Sequence, residues 1–244
     1  MKYVHFSKRA AAILLLSVLL LIFSACSQSD DVSDALAGPA AYSGEPASSS
    51  DAPTDSPEAT PSATSPLSAY QSVLQNKAEF FSTDANKNLN IDQLNQAVSD
   101  DSSVTAKATK FAIVDLENDG TPEVILWLVV NNNDYYGFEV LRYQDGVVYG
   151  YTLWYRAFMN LKADGTFSFS SGASDNGFGT VKFTEKAYSV DKIGYCEGSL
   201  YFVDHKSATE ADFLSAINKQ SEKTDATWYD FTDNNIETVL SNLK

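Results

Sequence analysis

The stretch KFAIVDLENDGTPEVILWLVV, residues 110–130, decides the fold of this chain. It contains two apolar runs, residues 110–114 and 123–130, which are rich in β-branched side chains and long enough to form buried strands. Between the two runs lies an acidic loop with a single glycine, Gly120, which permits a tight turn. The stretch therefore predicts a strand–loop–strand unit whose strands are buried.

Further strands are predicted on the C-terminal side of this unit. Asp145-Gly146 and Asp164-Gly165 are two-residue hairpin signals, each flanked by alternating apolar residues. Three more runs, residues 180–184, 187–196 and 199–204, have the composition of strands. Repeated hairpins of this kind favour an antiparallel sheet.

Helices are predicted at both ends of the folded region. Residues 68–81 place Tyr70, Val73, Leu74 and Phe81 at helical spacing, and residues 91–98 predict a second, short helix. Residues 210–220 and 233–243 are amphipathic, and we expect an Asp or Asn to cap the last helix. The sequence thus predicts one α+β domain over residues 67–244, an antiparallel multi-hairpin sheet with flanking N- and C-terminal helices.

The N-terminus carries a targeting signal. Residues 1–9 contain three basic residues and no acid, and residues 10–25 form an apolar run of 16 residues, short of the about 20 that span a bilayer. The run ends in Ser24-Ala25-Cys26, which resembles the bacterial lipoprotein signal. The resemblance implies a signal peptide over residues 1–25 and diacylation of Cys26, which would supply two chains for stable anchoring. The alternatives are an ordinary secreted protein and an uncleaved anchor.

Residues 26–66 are predicted to be a disordered tether. Ser, Ala, Pro and Thr account for 27 of the 40 residues 27–66, which also hold seven acids and no Lys or Arg. Such a segment has too little apolar surface to offset the chain entropy lost on folding. Its predicted role is to hold the folded domain away from the membrane, so the expected location is the extracellular face of the cell membrane.

The charge of the chain limits its partners. The formal net charge is −15, and the region from Leu67 onward has 14 basic and 25 acidic residues, a balance of −11. Nucleic acid is excluded as a default partner because phosphate binding requires clustered Lys and Arg. The same charge works against direct binding of anionic lipids or wall polymers unless a cation bridges them.

The acidic loop is a candidate calcium site. Asp115, Glu117, Asp119 and Glu123 alternate around Gly120, and Thr121 offers its backbone carbonyl. Ca²⁺ takes six to eight oxygen ligands of these kinds. The loop resembles the D-x-D-x-D-G loops of FG-GAP-type and VCBS-type extracellular β-repeats, which implies bound Ca²⁺. The alternative is a solvated acidic turn in which Asp119-Gly120 serves geometry alone.

The layout as a whole resembles lipoproteins of Gram-positive, Clostridia-like bacteria, in which a lipidation signal and a tether precede a domain with a "VDLDGDGTPEV"-like segment. Residues 114–124 carry that segment here. The resemblance implies no particular activity. The leading hypothesis is a surface-tethered binding or structural domain that contacts an extracellular polymer or protein. The alternatives are an extracellular hydrolase acting through carboxylates and a chaperone-like or inhibitor lipoprotein.

Other features are weaker candidates. Residues 84–92 have EF-hand-like spacing, but Leu89 stands where glycine is required, which favours a polar turn. Cys196 and His205 formally allow a Cys–His dyad, although Cys196 lies in a strand pattern typical of a buried thiol. Residues 149–158 contain too many aromatics to face one way, and residues 170–179 are the longest Gly/Ser-rich loop. The first segment is where an exposed aromatic set is expected, although aromatics at alternating strand positions are more often part of the core. The second is a candidate mobile binding loop, and the alternative, which is favoured, is a plain long hairpin loop.

Overall fold

The computed structural model describes residues 65–243. Its helices are α1 (Pro66–Leu74), α2 (Leu94–Val98), α3 (Glu210–Ser221) and α4 (Asp233–Asn242), with 3₁₀ turns at Ile91–Gln93 and Tyr155–Ala157. Its strands are β1 (Phe80–Ser82), β2 (Lys87–Leu89), β3 (Ala106–Val114), β4 (Glu123–Val130), β5 (Asn133–Gln144), β6 (Val147–Trp154), β7 (Phe167–Gly172), β8 (Asp175–Phe183), β9 (Tyr188–Glu197), β10 (Leu200–Val203), β11 (Lys206–Ala208) and β12 (Tyr229–Asp230).

The strands divide into two sheets. One has seven strands in the order β12-β3-β4-β5-β6-β1-β2, and the other has five in the order β11-β10-β9-β8-β7. All pairs are antiparallel except β1 with β6, which is parallel. The predicted α+β class is therefore confirmed. The hairpins are divided between two sheets and do not all join one. Alternation of apolar and polar residues identifies a half-buried strand, but it does not reveal which sheet that strand joins.

The seven-stranded sheet is buried on both faces. One core cluster joins residues of β3 and β4, such as Leu126, to Tyr70 of α1 and Ile236 of α4. The other joins Ile125 of β4 to Phe167 and Val181 of the five-stranded sheet. This double burial explains why β4 is apolar almost without interruption.

The first helix is shorter than predicted. It ends at Leu74, and Asn76 then takes a left-handed conformation with φ 57°. The Asn76 N–H donates to the Val73 carbonyl at 2.9 Å, which closes the last turn. Phe81, expected on this helix, lies instead in β1.

Of the two predicted hairpin turns, only Asp145-Gly146 joins two strands of a sheet. Asp145-Gly146 connects β5 and β6 with both residues at positive φ, as predicted for a two-residue turn. At Asp164-Gly165 the chain turns, but residues before the turn make only isolated bridges, such as Met159 with Ser168. The predicted loop over residues 170–179 is itself a tight hairpin, in which β7 and β8 continue to Gly172 and Asp175.

The C-terminal helices begin with hydroxyl caps. Thr209 caps α3 and Thr232 caps α4, each accepting a backbone N–H with its side chain. The cap of α4 is therefore a threonine rather than the expected Asp or Asn. Within residues 65–243, no helix is long and apolar enough to cross a membrane.

Three predictions concern other parts of the chain. The signal peptide over residues 1–25 and the lipidated Cys26 lie outside the described residues, as does the predicted tether except for its last two residues. Ser65 and Pro66 belong to the domain, because Ser65 caps α1 and Pro66 occupies its first turn.

Candidate functional site

The acidic loop between β3 and β4 is closed by its own side chains. The Asp115 carboxylate accepts the backbone N–H of Asp119 at 3.1 Å and of Gly120 at 2.9 Å. Asp119 in turn accepts the N–H of Thr121 at 2.7 Å. Asn118 and Gly120 take positive φ, which makes the turn tight. These contacts bring Asp115, Asp119 and Thr121 together at an exposed turn.

Glu117, another of the five predicted ligands, points to the second sheet. Its carboxylate lies 2.7 Å from Nε of Arg142 on β5 and accepts the N–H of Phe183 on β8 at 3.1 Å. Both side chains of this ion pair are largely buried. Glu117 therefore links the acidic loop to both sheets.

Glu123, the last of the five predicted ligands, lies beneath the loop. Its side chain is buried and accepts the N–H of Leu116 at 2.9 Å. Burial raises the pKa of Glu123 to about 8, so the group is largely protonated at neutral pH in this conformation.

The five predicted ligands thus separate into an exposed group of three and two that face inward. Among residues 65–243, no group of three or more His, Cys, Asp or Glu is placed to hold a metal ion. Carboxylate oxygens keep lone pairs after accepting one N–H each, so Asp115 and Asp119 retain capacity for a cation. Calcium binding stays a prediction.

Two weaker candidates also find places in the fold. The polar segment from Asp84 forms the β1–β2 turn, with Asn86 at a φ of 51°, and the Asp84 carboxylate accepts the N–H of Thr152 at 2.9 Å. Cys196 is buried in β9, whereas the His205 side chain is exposed and lies 3.7 Å from the Asp191 carboxylate. Asp84 thus links the β1–β2 turn to β6 through one carboxylate oxygen, and the Cys–His pair has no shared contact within residues 65–243.

An aromatic ridge stands at the end of the seven-stranded sheet where β5 begins and β6 ends. It consists of Tyr135, Tyr136, Trp154 and Tyr155. Trp154 and Tyr135 expose 60% and 66% of their surface, respectively. The Tyr136 and Trp154 ring centroids lie 5.0 Å apart, as do those of Tyr135 and Tyr155. Each exposed ring is therefore held in place by a half-buried neighbour.

On one side of Trp154 lies a cleft of about 380 Å³ between the end of β6 and the five-stranded sheet, which we call the mixed cleft. Its lining combines aromatic, charged and hydroxyl side chains, namely Trp154, Arg156, Phe169, Ser171, Asp175 and Lys192. An Arg156 N–H donates to Ser170 at 3.0 Å, and the Ser171 hydroxyl donates to Asp175. Its polar groups are therefore oriented before any ligand arrives.

Trp154 also lines a second cleft of about 220 Å³, which we call the acidic cleft. Its lining includes Asp84, Gln96, Asp100, Tyr136 and Trp154. Trp154 is thus the common wall of two clefts of different charge.

Behind the acidic cleft lies a buried carboxyl group that the sequence did not single out. Glu139 is fully buried; one oxygen accepts the Thr152 hydroxyl at 2.8 Å, and the other has no hydrogen-bond partner. Burial raises the pKa of Glu139 to about 8. Gly150 makes room for it, because a Cβ there would collide with the carboxylate and with Phe80. The only signal in the sequence is an acid inside the apolar run GFEVL.

Comparison with protein-family models, with curated proteins and with solved structures gave no match for this chain.

Proposed function

We propose that this chain is a lipid-anchored protein of the extracellular face of the cell membrane whose domain binds an extracellular polymer or protein. The anchor is supported by the order of basic residues, apolar run and cysteine in residues 1–26, and the spacer by the composition of residues 27–66. The binding role is supported by the domain itself.

The observation that carries the binding role is the exposure of Trp154. The three residues before it on β6 are buried, whereas Trp154 lines two clefts and exposes 60% of its surface. An exposed tryptophan fixed by a neighbouring ring offers a large apolar contact surface at little entropic cost. The contact with Tyr136 leaves most of the Trp154 side chain free for a ligand.

Envelope binding tests this role. The full chain, purified in detergent, is mixed with cell envelopes of the expressing bacterium, and the bound fraction is measured by sedimentation. We expect Trp154→Ala to weaken binding by at least about tenfold, the equivalent of one buried aromatic contact. Leu200→Ala is the matched control, because Leu200 is 61% exposed and lies on β10. Equal binding of both variants would refute the role of Trp154.

The anchor is tested separately. Membrane fractionation of Cys26→Ala should move the protein from the membrane to the soluble fraction, because the diacylated residue is lost. Continued membrane association would show that the apolar run itself holds the protein.

We also propose Ca²⁺ as a stabiliser of the acidic loop. Asp115, Asp119 and the Thr121 carbonyl would provide the ligands, and Ca²⁺ would neutralise two carboxylates that here accept only backbone N–H groups. Ligand at 100 times its Kd adds about 2.7 kcal/mol, so millimolar Ca²⁺ should raise Tm by several degrees relative to EDTA. An unchanged Tm would contradict the proposal, and the Asp119→Asn variant should show no rise.

A second candidate function is carboxylate-dependent hydrolysis at the acidic cleft. It is favoured by the presence of Asp84 and Asp100 on a cleft with an aromatic wall. Release of reducing ends from cell-wall glycans, lost in both Asp84→Asn and Asp100→Asn, would support it. The absence of release by the wild-type chain would eliminate it.

A further inference from the structure

The mixed cleft has the chemistry of a sugar site. We infer that its ligand is an uncharged polysaccharide, one pyranose ring of which stacks on the Trp154 indole while its hydroxyl groups bond to Arg156 and Asp175. This inference rests on the proposed binding function and names its ligand class.

The first support is the pairing of an aromatic face with a donor and an acceptor. Trp154 and Phe169 supply apolar surface, Arg156 supplies N–H donors and Asp175 supplies carboxylate acceptors around one cleft. A pyranose ring presents the complementary pattern, with a face of C–H groups and a rim of hydroxyls that both donate and accept. An apolar cleft with a few convergent polar groups is the usual form of a small-ligand site.

The polar groups also have capacity left for a ligand. Arg156 uses one N–H on Ser170, and within residues 65–243 no acidic group lies within ion-pair distance of it. A guanidinium has five N–H donors, so most remain available. Asp175 accepts from Ser171 and likewise keeps free lone pairs.

The wall opposite Trp154 is fixed in advance. The Lys192 ammonium lies 2.8 Å from the Glu197 carboxylate and sits over the rings of Tyr195 and Phe169, at 5.0 and 5.7 Å. These contacts hold Lys192 without a ligand, and a preformed wall reduces the entropy lost on binding.

The charges at the cleft argue for a neutral ligand. Arg156 and Lys192 are balanced by Asp175 and Glu197, so the four groups together carry no net charge. A polyanion would in addition be repelled by the domain, whose 14 basic and 25 acidic residues leave it strongly negative. A polycation would be repelled by Arg156, which forms no ion pair within residues 65–243.

The size of the cleft fits a short stretch of glycan. Its volume of about 380 Å³ is at the lower end of ligand pockets, roughly 300–1,000 Å³, and the cleft is open to solvent. A disaccharide fits such a space, and an open cleft lets a longer chain pass through.

The test is isothermal titration of the full chain in detergent with neutral cello-, xylo-, malto- and chito-oligosaccharides, and with polygalacturonate as the charged comparison. We expect at least one neutral oligosaccharide to bind. Trp154→Ala should weaken that binding at least about tenfold, and Arg156→Gln should weaken it about tenfold, the value of a charge-assisted hydrogen bond. Lys182→Gln, which removes an exposed lysine paired with Asp191, is the charge-matched control and should bind normally.

The outcomes separate this inference from the proposed function. Trp154-dependent binding to envelopes with no binding of any neutral oligosaccharide would overturn the inference and leave the binding function standing. Binding of polygalacturonate alone would also overturn it, since the ligand would then be anionic. Failure of the chain to bind envelopes at all would remove the proposed function itself.

Discussion

The buried carboxyl of Glu139 makes the stability of this domain depend on pH in an unusual direction. Its pKa lies at about 8 in the fold and at 4.5 as a free side chain, so the folded state binds more protons than the unfolded state between these values. The contribution of Glu139 to the free energy of unfolding therefore falls as pH rises from about 4.5 to about 8, and then levels off.

The size of the effect follows from the same interval. At about 1.4 kcal/mol per pH unit, the interval corresponds to about 5 kcal/mol, which is an upper limit because water entering beside the carboxylate would lower its cost. Glu139→Gln removes the charge and keeps an acceptor for the Thr152 hydroxyl. Its amide N–H₂ would face Phe80 and Gly150 without an acceptor, a cost of about 1–2 kcal/mol at any pH.

We therefore expect Glu139→Gln to be slightly less stable than wild type at about pH 5 and more stable at about pH 9. Urea unfolding followed by fluorescence at the two pH values measures the difference. The exposed Glu185→Gln variant is the control and should show no pH-dependent difference. If the stability difference between Glu139→Gln and wild type were the same at both pH values, the reasoning would be refuted.

Three further predictions concern contacts that hold the fold. The buried ammonium of Lys162 lies 2.6 Å from the Asp225 carboxylate and donates to two carbonyls at the C-terminal end of α3, those of Ser221 and Lys223. Lys162→Met should therefore lower the free energy of unfolding in urea by about 2–3 kcal/mol. Gly137→Ala should lower the free energy of unfolding by about 3 kcal/mol or more, because its Cβ would overlap the backbone across the β5–β6 pair. Gly146→Ala, with open space around it, should lower the free energy of unfolding by about 1 kcal/mol. Equal losses of Tm in the two variants would contradict this expectation. Glu117→Gln and Arg142→Met should show a coupling of about 1–2 kcal/mol in a double-mutant cycle, and additive effects would mean that the ion pair contributes nothing.

Local signals predicted the elements that depend on neighbours in sequence. Residues 210–220 lie in α3, and Asp145-Gly146 makes a two-residue hairpin, because both structures are decided within a few residues. Phe81 was misplaced because an apolar residue at helical spacing does not reveal that Asn76 has already ended the helix. Helix periodicity alone does not locate such a stop.

Contacts between distant residues explain what the sequence could not reveal about the sites. Glu117 has the spacing of a loop ligand, yet its partner Arg142 lies 25 residues away. The composition of residues 149–158 predicts exposed aromatics there, and Trp154 is the exposed member. Its neighbour Lys192 reaches the same cleft only because the second sheet packs against the first.

The parallel pairing of β1 with β6 has a consequence for folding kinetics. Phe81 of β1 pairs with Tyr149, so this segment leaves the ribosome long before its partner strand exists. The β3–β6 meander between them can form from local contacts, whereas β1 must wait and then close a long loop, a slow step. During synthesis, β1 therefore stays unpaired on this side until β6 has emerged, and until then it is accessible to a chaperone or a protease.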